Sequence, residues 1–471
     1  MLTAVTEVLY MLKKIKRISL YAVLSMCLLF SYTLSQELSI YDEGLKILQE
    51  YISIDTTNPP GNEMKTALFL KKILDREGIE NQVFDLGNNR ANLLAILRGD
   101  GSKKPVILLH HMDVVPADAE YWTVPPFSGE IVDGKIYGRG AVDMKAKGII
   151  DLMTVINLKR KNIPLKRDIM LLAVSDEEVG SLGSRWMVEN KSDLIKGAEF
   201  LLDEGGYAVT DNKGNILYYM VTIGEKAPLW LTLTFTGTPG HGSIPVEDSS
   251  VNRAIRAANR LLDYKSEFII IPELKEYIKL LLTNRDITRI PGYTGDFYTS
   301  LNNKIFLHEI AKVPEINACL RNTISITCLE GSEKINTIPN EASISLDCRL
   351  LPGVDRDKFI EELKEIIRDD SVKINIEDYA SSTSSPWNNE FSVALKKCME
   401  KRGDNVPLIP SILLSSTDST FYRPLGIVTY GFESCKYSPE ECDTAHGNDE
   451  RIGVDTVEFG IDLLTDILKE L

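Results

Sequence analysis

Apolar residues recur every three to four positions at Leu45, Leu48 and Ile52, and again at Leu70, Ile73 and Leu74, a spacing that predicts two amphipathic helices. Gly78 closes the second, and the cluster Thr56-Thr57-Asn58-Pro59-Pro60-Gly61 between them reads as a turn. The texture then changes to short apolar, β-rich runs bounded by breakers: Val106–Leu109, Ile169–Val174, Phe200–Leu202 and, far downstream, Ile427–Tyr430. Strands that are apolar on both faces and alternate with helices predict an α/β fold, a mixed and largely parallel sheet flanked by helices.

Around residue 226 the pattern becomes strictly alternating. Leu231, Leu233 and Phe235 alternate with Thr232, Thr234 and Thr236, and Ile344, Leu346, Cys348 and Leu350 with Ser343, Ser345, Asp347 and Arg349. Such strands are half-buried. Two helices accompany them, one through Ala254, Ile255, Ala258, Leu261 and Leu262, the other through Phe359, Leu363, Ile366 and Ile367. Residues 226–379 are therefore expected to form an inserted α+β domain, with 36–225 and 380–471 making up a discontinuous first domain. The stretch 265–312, rich in Ile, Leu and Tyr, fits neither pattern.

Composition adds bounds. A chain of 471 residues with 44% hydrophobic residues can fill two cores. A net charge of -15, from 53 basic and 68 acidic residues, excludes the basic footprint of a nucleic-acid binder. The first 35 residues stand apart: Lys13, Lys14, Lys16 and Arg17 precede an apolar run from Ile18 to Leu34 that holds Cys27. This reads as a secretory signal, cleaved near Gln36, or as a membrane anchor, so that the protein is exported to a periplasmic or extracellular space. In such a compartment Cys435 and Cys442 are expected to pair across their short loop.

The acids and histidines fall at strand ends. Val106–Leu109 runs into His110-His111-Met112-Asp113, Ile169–Val174 into Ser175-Asp176-Glu177-Glu178, and Phe200–Leu202 into Asp203-Glu204-Gly205-Gly206. Asp143 follows the Gly-rich turn Tyr137-Gly138-Arg139-Gly140, and His446 closes the loop after Ile427–Tyr430. A lone acid at a strand end is ordinarily a solvated one. Several at the carboxyl edge of one sheet, where α/β proteins bind ligands, would repel one another unless a cation neutralised them. In an extended segment His111 and Asp113 face the same way, so Asp113 can accept a hydrogen bond from one ring nitrogen of His111 while the other binds a metal.

His111-Met112-Asp113-Val114-Val115-Pro116, Gly138-Arg139-Gly140-Ala141-Val142-Asp143-Met144-Lys145, Glu177-Glu178, Gly240-His241-Gly242-Ser243 and Asp347-Cys348-Arg349 resemble the dinuclear zinc hydrolase family of aminoacylase, carboxypeptidase G, carboxypeptidase S and succinyl-diaminopimelate desuccinylase. The resemblance covers nearly the whole chain beyond the N-terminal segment. It implies two Zn²⁺ ions, with Mn²⁺ or Co²⁺ as substitutes. Asp143 would bridge them, His111 and Asp203 would complete one site, and Glu178 and His446 the other. Glu177 would be the general base and Asp113 would orient His111. His241 would stabilise the oxyanion, in some relatives across a homodimer interface made by the inserted lid or dimerisation domain. Arg349 would hold the carboxylate of a small peptide or N-acyl amino acid, cleaved at the neighbouring amide.

Ser415-Ser416-Thr417-Asp418 departs from the Gly-Gly-Thr-Asp of many relatives, which leaves the acyl group and side-chain preference open. His308 and Trp387 match nothing functional. The rival reading is a catalytically inactive binding protein of the same fold, which should have lost a ligand or the base; none of those positions is lost here.

Overall fold

The computed structural model describes residues 38–380 and 383–471, so the expected secretory signal or anchor, with Cys27, lies outside the described residues. Its centre is a ten-stranded mixed sheet. Val106–His111 pairs parallel with Ile169–Val174 on one side and with Phe200–Asp203 on the other. Val428–Gly431 lies parallel to Phe200–Asp203, and Leu408–Leu413 lies parallel to Ile216–Glu225. The antiparallel pair Glu80–Gly87 and Arg90–Leu97 finishes one edge.

The apolar runs are continuous because both faces are covered. Val106, Leu108, Leu171, Phe200 and Leu202 enter the core beneath the helices Ile40–Ile52, Ala146–Arg160 and Asp455–Glu470. Their neighbours Ile107, Leu109, Leu172 and Leu201 enter a second core with Met187, Ile195 and Tyr422 from the opposite layer. A chain reversal of strand direction is absent among these central strands, so His111, Ser175, Asp203 and Gly431 all stand at one edge of the sheet.

A second, four-stranded antiparallel sheet has the order Thr323–Glu330, Glu341–Leu350, Ala227–Thr236, Lys373–Tyr379. The helices Ser250–Asp263 and Arg356–Ile367 cover one of its faces, burying Leu229, Leu231, Leu233, Phe235, Ile344, Leu346 and Cys348. The expected block 226–379 is not uniform, however. Leu274, Ile278, Leu282, Phe297, Phe306, Ile310, Ile316 and Leu320 join the core of the large sheet instead. The stretch 265–312 thus serves the larger unit, because its short helices carry their apolar faces against the Leu408–Leu413 strand. Lys226, at the crossing between the units, donates to the carbonyls of Ala318 and Arg321 at 3.0 and 2.8 Å. No helix of the described residues is long and apolar enough to cross a membrane.

Candidate metal centre and catalytic site

The centre forms where the strand ends converge. Asp143 hangs from the turn after Gly140, whose φ of 88° is left-handed and whose Cβ would meet Val114 at 2.8 Å, so only glycine fits. Its two carboxylate oxygens face two histidines: Oδ1 lies 2.9 Å from His111 Nε2 and Oδ2 lies 3.0 Å from His446 Nε2. His446 Nε2 is also 3.3 Å from Glu178 Oε2. Ligand atoms of His111, Asp143 and Glu178 lie within 4.8 Å of one another, and so do those of His111, Glu177 and Glu204.

Two residues stand otherwise than expected. Asp203 is absent from both groups of ligand atoms: its Oδ2 accepts from the main-chain N–H and hydroxyl of Ser419 at 3.0 and 2.7 Å, while its Oδ1 is buried without a hydrogen bond among the described residues. The strand ends at Asp203, and the next residue, Glu204, turns into the centre instead. The orienting group of His111 also differs. Its Nδ1–H donates to the main-chain carbonyl of Asp113 at 2.9 Å, whereas the Asp113 carboxylate is 3.7 Å away. The strand stops at His111, so alternation no longer governs Asp113. The carboxylate accepts from Asn58 Nδ2 at 2.7 Å and from the N–H groups of Glu177 and Glu178 at 3.1 and 3.2 Å. Asp113 therefore positions the paired glutamates. His110 is buried on the other side, with Nε2 3.2 Å from the Tyr51 hydroxyl.

The residues present fit metal ions. Burial and the neighbouring acids push the Glu177 and Glu204 carboxyls well above the usual range, although His111 opposes both. Burial disfavours charge on His111, yet its bond to Asp143 and the facing Glu204 and Glu177 hold it well above its ordinary value. His446 rises to about 10 through its bonds to Asp143 and Glu178. Glu178 Oε1 is buried with no partner among the described residues. A cluster of acids that tolerates charge only by borrowing protons is what a cation would relieve.

Several supports were not evident from sequence spacing. Glu450, fully buried, accepts from Arg139 Nη1 at 2.6 Å, from the N–H groups of Gly140 and Val142 at 2.9 and 2.7 Å, and from Asp143 N–H at 3.0 Å. It stands four residues after His446 and ties that loop to the Asp143 turn. Glu433 accepts from Gly205 N–H at 3.2 Å and from the Tyr437 hydroxyl at 3.1 Å, beside the Glu204 turn. Cys435 and Cys442 are free thiols, contrary to the expected disulfide. Each lies against a different tyrosine, Tyr437 and Tyr207, whose rings meet edge-on at 5.2 Å.

A cavity of about 550 Å³ opens over the centre. Asp143, Glu177, Glu178, Glu204 and His446 line it, as do Ser415, Ser416 and Arg349. Arg349 is half-buried and pairs with Asp347, Nε to Oδ1 at 2.8 Å and Nη2 to Oδ2 at 3.2 Å. His241 is exposed and lies outside this cavity; its Nδ1 accepts from the Ser243 hydroxyl at 2.7 Å.

Residues 107–470 match peptidase family M20/M25/M40. The chain belongs to that family. Among M20 relatives, aminoacylase-1 of Sus scrofa is 29% identical over 440 residues, covering 91% of this chain and 95% of that protein. The N-fatty-acyl-amino acid synthase/hydrolase PM20D1 of Mus musculus is 27% identical over 398 residues, 80% of this chain and 76% of that one. The M20 metallo-carboxypeptidase Sso-CP2 of Sulfolobus solfataricus shares the fold, with a TM-score of 0.67 at 23% identity over 91% of this chain and 99% of its own. This M20 protein is accordingly a metal-dependent hydrolase of peptide or amide bonds.

Proposed function

We propose that the enzyme cleaves the amide next to a free carboxylate, as an aminoacylase or carboxypeptidase does, with two divalent ions, zinc by preference, in its centre. The observation that carries this reading is Asp143 set between two histidines, one on each oxygen. One ion would be held by His111, Asp143 and Glu204, the other by Asp143, Glu178 and His446; mixed nitrogen and oxygen donors without thiolate suit zinc, and also manganese or cobalt. Bound there, such ions polarise a carbonyl and acidify water. Glu177 takes one proton of the attacking water as the new C–O bond forms and returns it to the nitrogen as the C–N bond breaks; the remaining hydroxyl proton of the new carboxyl group also passes to the amine, leaving a carboxylate and an ammonium.

Arg349 would take the substrate carboxylate, exchanging part of its pairing with Asp347 for a bidentate grip. The test is a matched pair of substrates, the free acid and its primary amide. Wild type should favour the acid by roughly 2–4 kcal/mol of transition-state binding, and Arg349→Ala should lose most of that preference. Equal turnover of acid and amide by wild type would remove Arg349 from this role.

His241 is exposed and outside the cavity lining, and the resemblance assigns it a part from a second copy of the chain. Coexpressed His241→Ala and Glu177→Gln chains should then recover activity that neither has alone; no recovery in a verified mixed dimer would end that reading.

A further inference from the structure

The small sheet has one covered face and one open face. Leu229, Leu231 and Leu233 on one strand, with Ile344, Leu346 and Cys348 on the next, point into the helices. The alternate positions Thr232, Thr234, Ser343, Ser345, Asp347 and Arg349 lie on the open face, and all are small or polar except one neighbour. That neighbour is Trp230, 43% exposed on a central strand. An indole this exposed amid threonines and serines stands outside the small core, and an exposed large apolar group is the informative exception on a surface.

Its register places it beside the site. Trp230 is directly opposite Asp347, the partner of Arg349, and Arg349 is opposite Pro228. Trp230 is thus the diagonal neighbour of Arg349, about 7–8 Å away along one face of an antiparallel pair. Arg349 lines the catalytic cavity. In an α-amino acid the side chain branches from the carbon that bears the carboxylate. Trp230 itself stands outside the cavity lining, and a carboxylate on Arg349 would bring that side chain to the face of the sheet that carries the indole.

We propose that Trp230 is a specificity-determining residue, a platform for the side chain of the carboxylate-bearing amino acid, and that the enzyme favours bulky aromatic or long aliphatic leaving residues over glycine and alanine. This rests on Arg349 being the carboxylate anchor. The position of Trp230 on a central strand, facing outward, means that its removal leaves the small core intact.

The test measures kcat/KM for the metal-loaded full chain on a series with glycine, alanine, leucine and phenylalanine as the leaving residue, presented as N-acetyl amino acids or as alanyl dipeptides. Wild type should favour leucine and phenylalanine. Trp230→Ala should lose about tenfold on those two, the scale of one lost apolar contact, with less than about twofold change on glycine. Trp230→Phe should restore most of the loss. A uniform loss across the series, or none, overturns the proposal. The acid and amide pair separates the two readings: if wild type ignores the carboxylate, the anchor fails and the platform with it. If it reads the carboxylate but Trp230→Ala leaves the series unchanged, only the platform fails.

Discussion

Glu450 is the sharpest place to perturb the centre without touching a proposed ligand. Glu450→Ala removes the acceptor of four bonds at once: one from the buried Arg139 and three from the main chain that carries Asp143. Arg139 keeps its Nη2 hydrogen bonds, the nearer to the Gly447 carbonyl at 2.8 Å, and its contact over the Trp122 ring. Stranding one partner of a buried pair costs about 3–5 kcal/mol, and water entering the space returns part of it. Loosening a group that holds a ligand in place typically costs 10–100-fold in metal affinity. We expect the urea midpoint of the metal-free chain to fall by an amount equivalent to about 3 kcal/mol, and zinc affinity, measured by chelator competition, to fall at least about tenfold. Glu450→Gln retains an acceptor for part of the turn and should lie between the two. Affinity within about twofold of wild type, together with a midpoint shift worth less than about 1 kcal/mol, would refute the claim that Glu450 builds the Asp143 turn.

Glu204→Gln should weaken binding of one metal ion while Asp203→Asn leaves metal content unchanged; the reverse in metal analysis would restore Asp203 as the ligand. Glu177→Gln should keep both metals and lose roughly 10²-fold or more in rate, and near-normal turnover would hand the base to another residue. In the metal-free chain His446 is carried up to about 10, above its ordinary 6.5, so its protonated form stabilises the fold below the ordinary value and that contribution is lost as pH rises through about 10. A metal needs the neutral imidazole, so zinc affinity should rise with pH from neutrality toward 10, with protons released on binding. A flat affinity profile in calorimetry would contradict the pairing of His446 with Asp143 and Glu178.

The architecture and much of the centre are legible in the chain because three central strands, Val106–His111, Ile169–Val174 and Phe200–Asp203, are apolar runs that lead into a histidine or into acids. What could not be read lies just past those ends. Asp203 and Glu204 are adjacent acids, and which one turns inward depends on the Gly205 turn, whose φ of 115° no spacing rule supplies. Asp113 sits beyond the last paired residue of its strand, so a period of two no longer applies. The helices of 265–312 show an apolar face, but amphipathicity does not say which of two cores receives it. The short loop between Cys435 and Cys442 suggested a bond, whereas Tyr207 and Tyr437 take up the two thiols.

The central claim is that Asp143 serves two metal ions at once, and metal content by mass spectrometry of the intact chain tests it most directly. Wild type reconstituted with zinc should carry about two equivalents, and Asp143→Ala should lose both, since the bridging group belongs to each site. An Asp143→Ala chain that folds and still holds two equivalents would contradict the account.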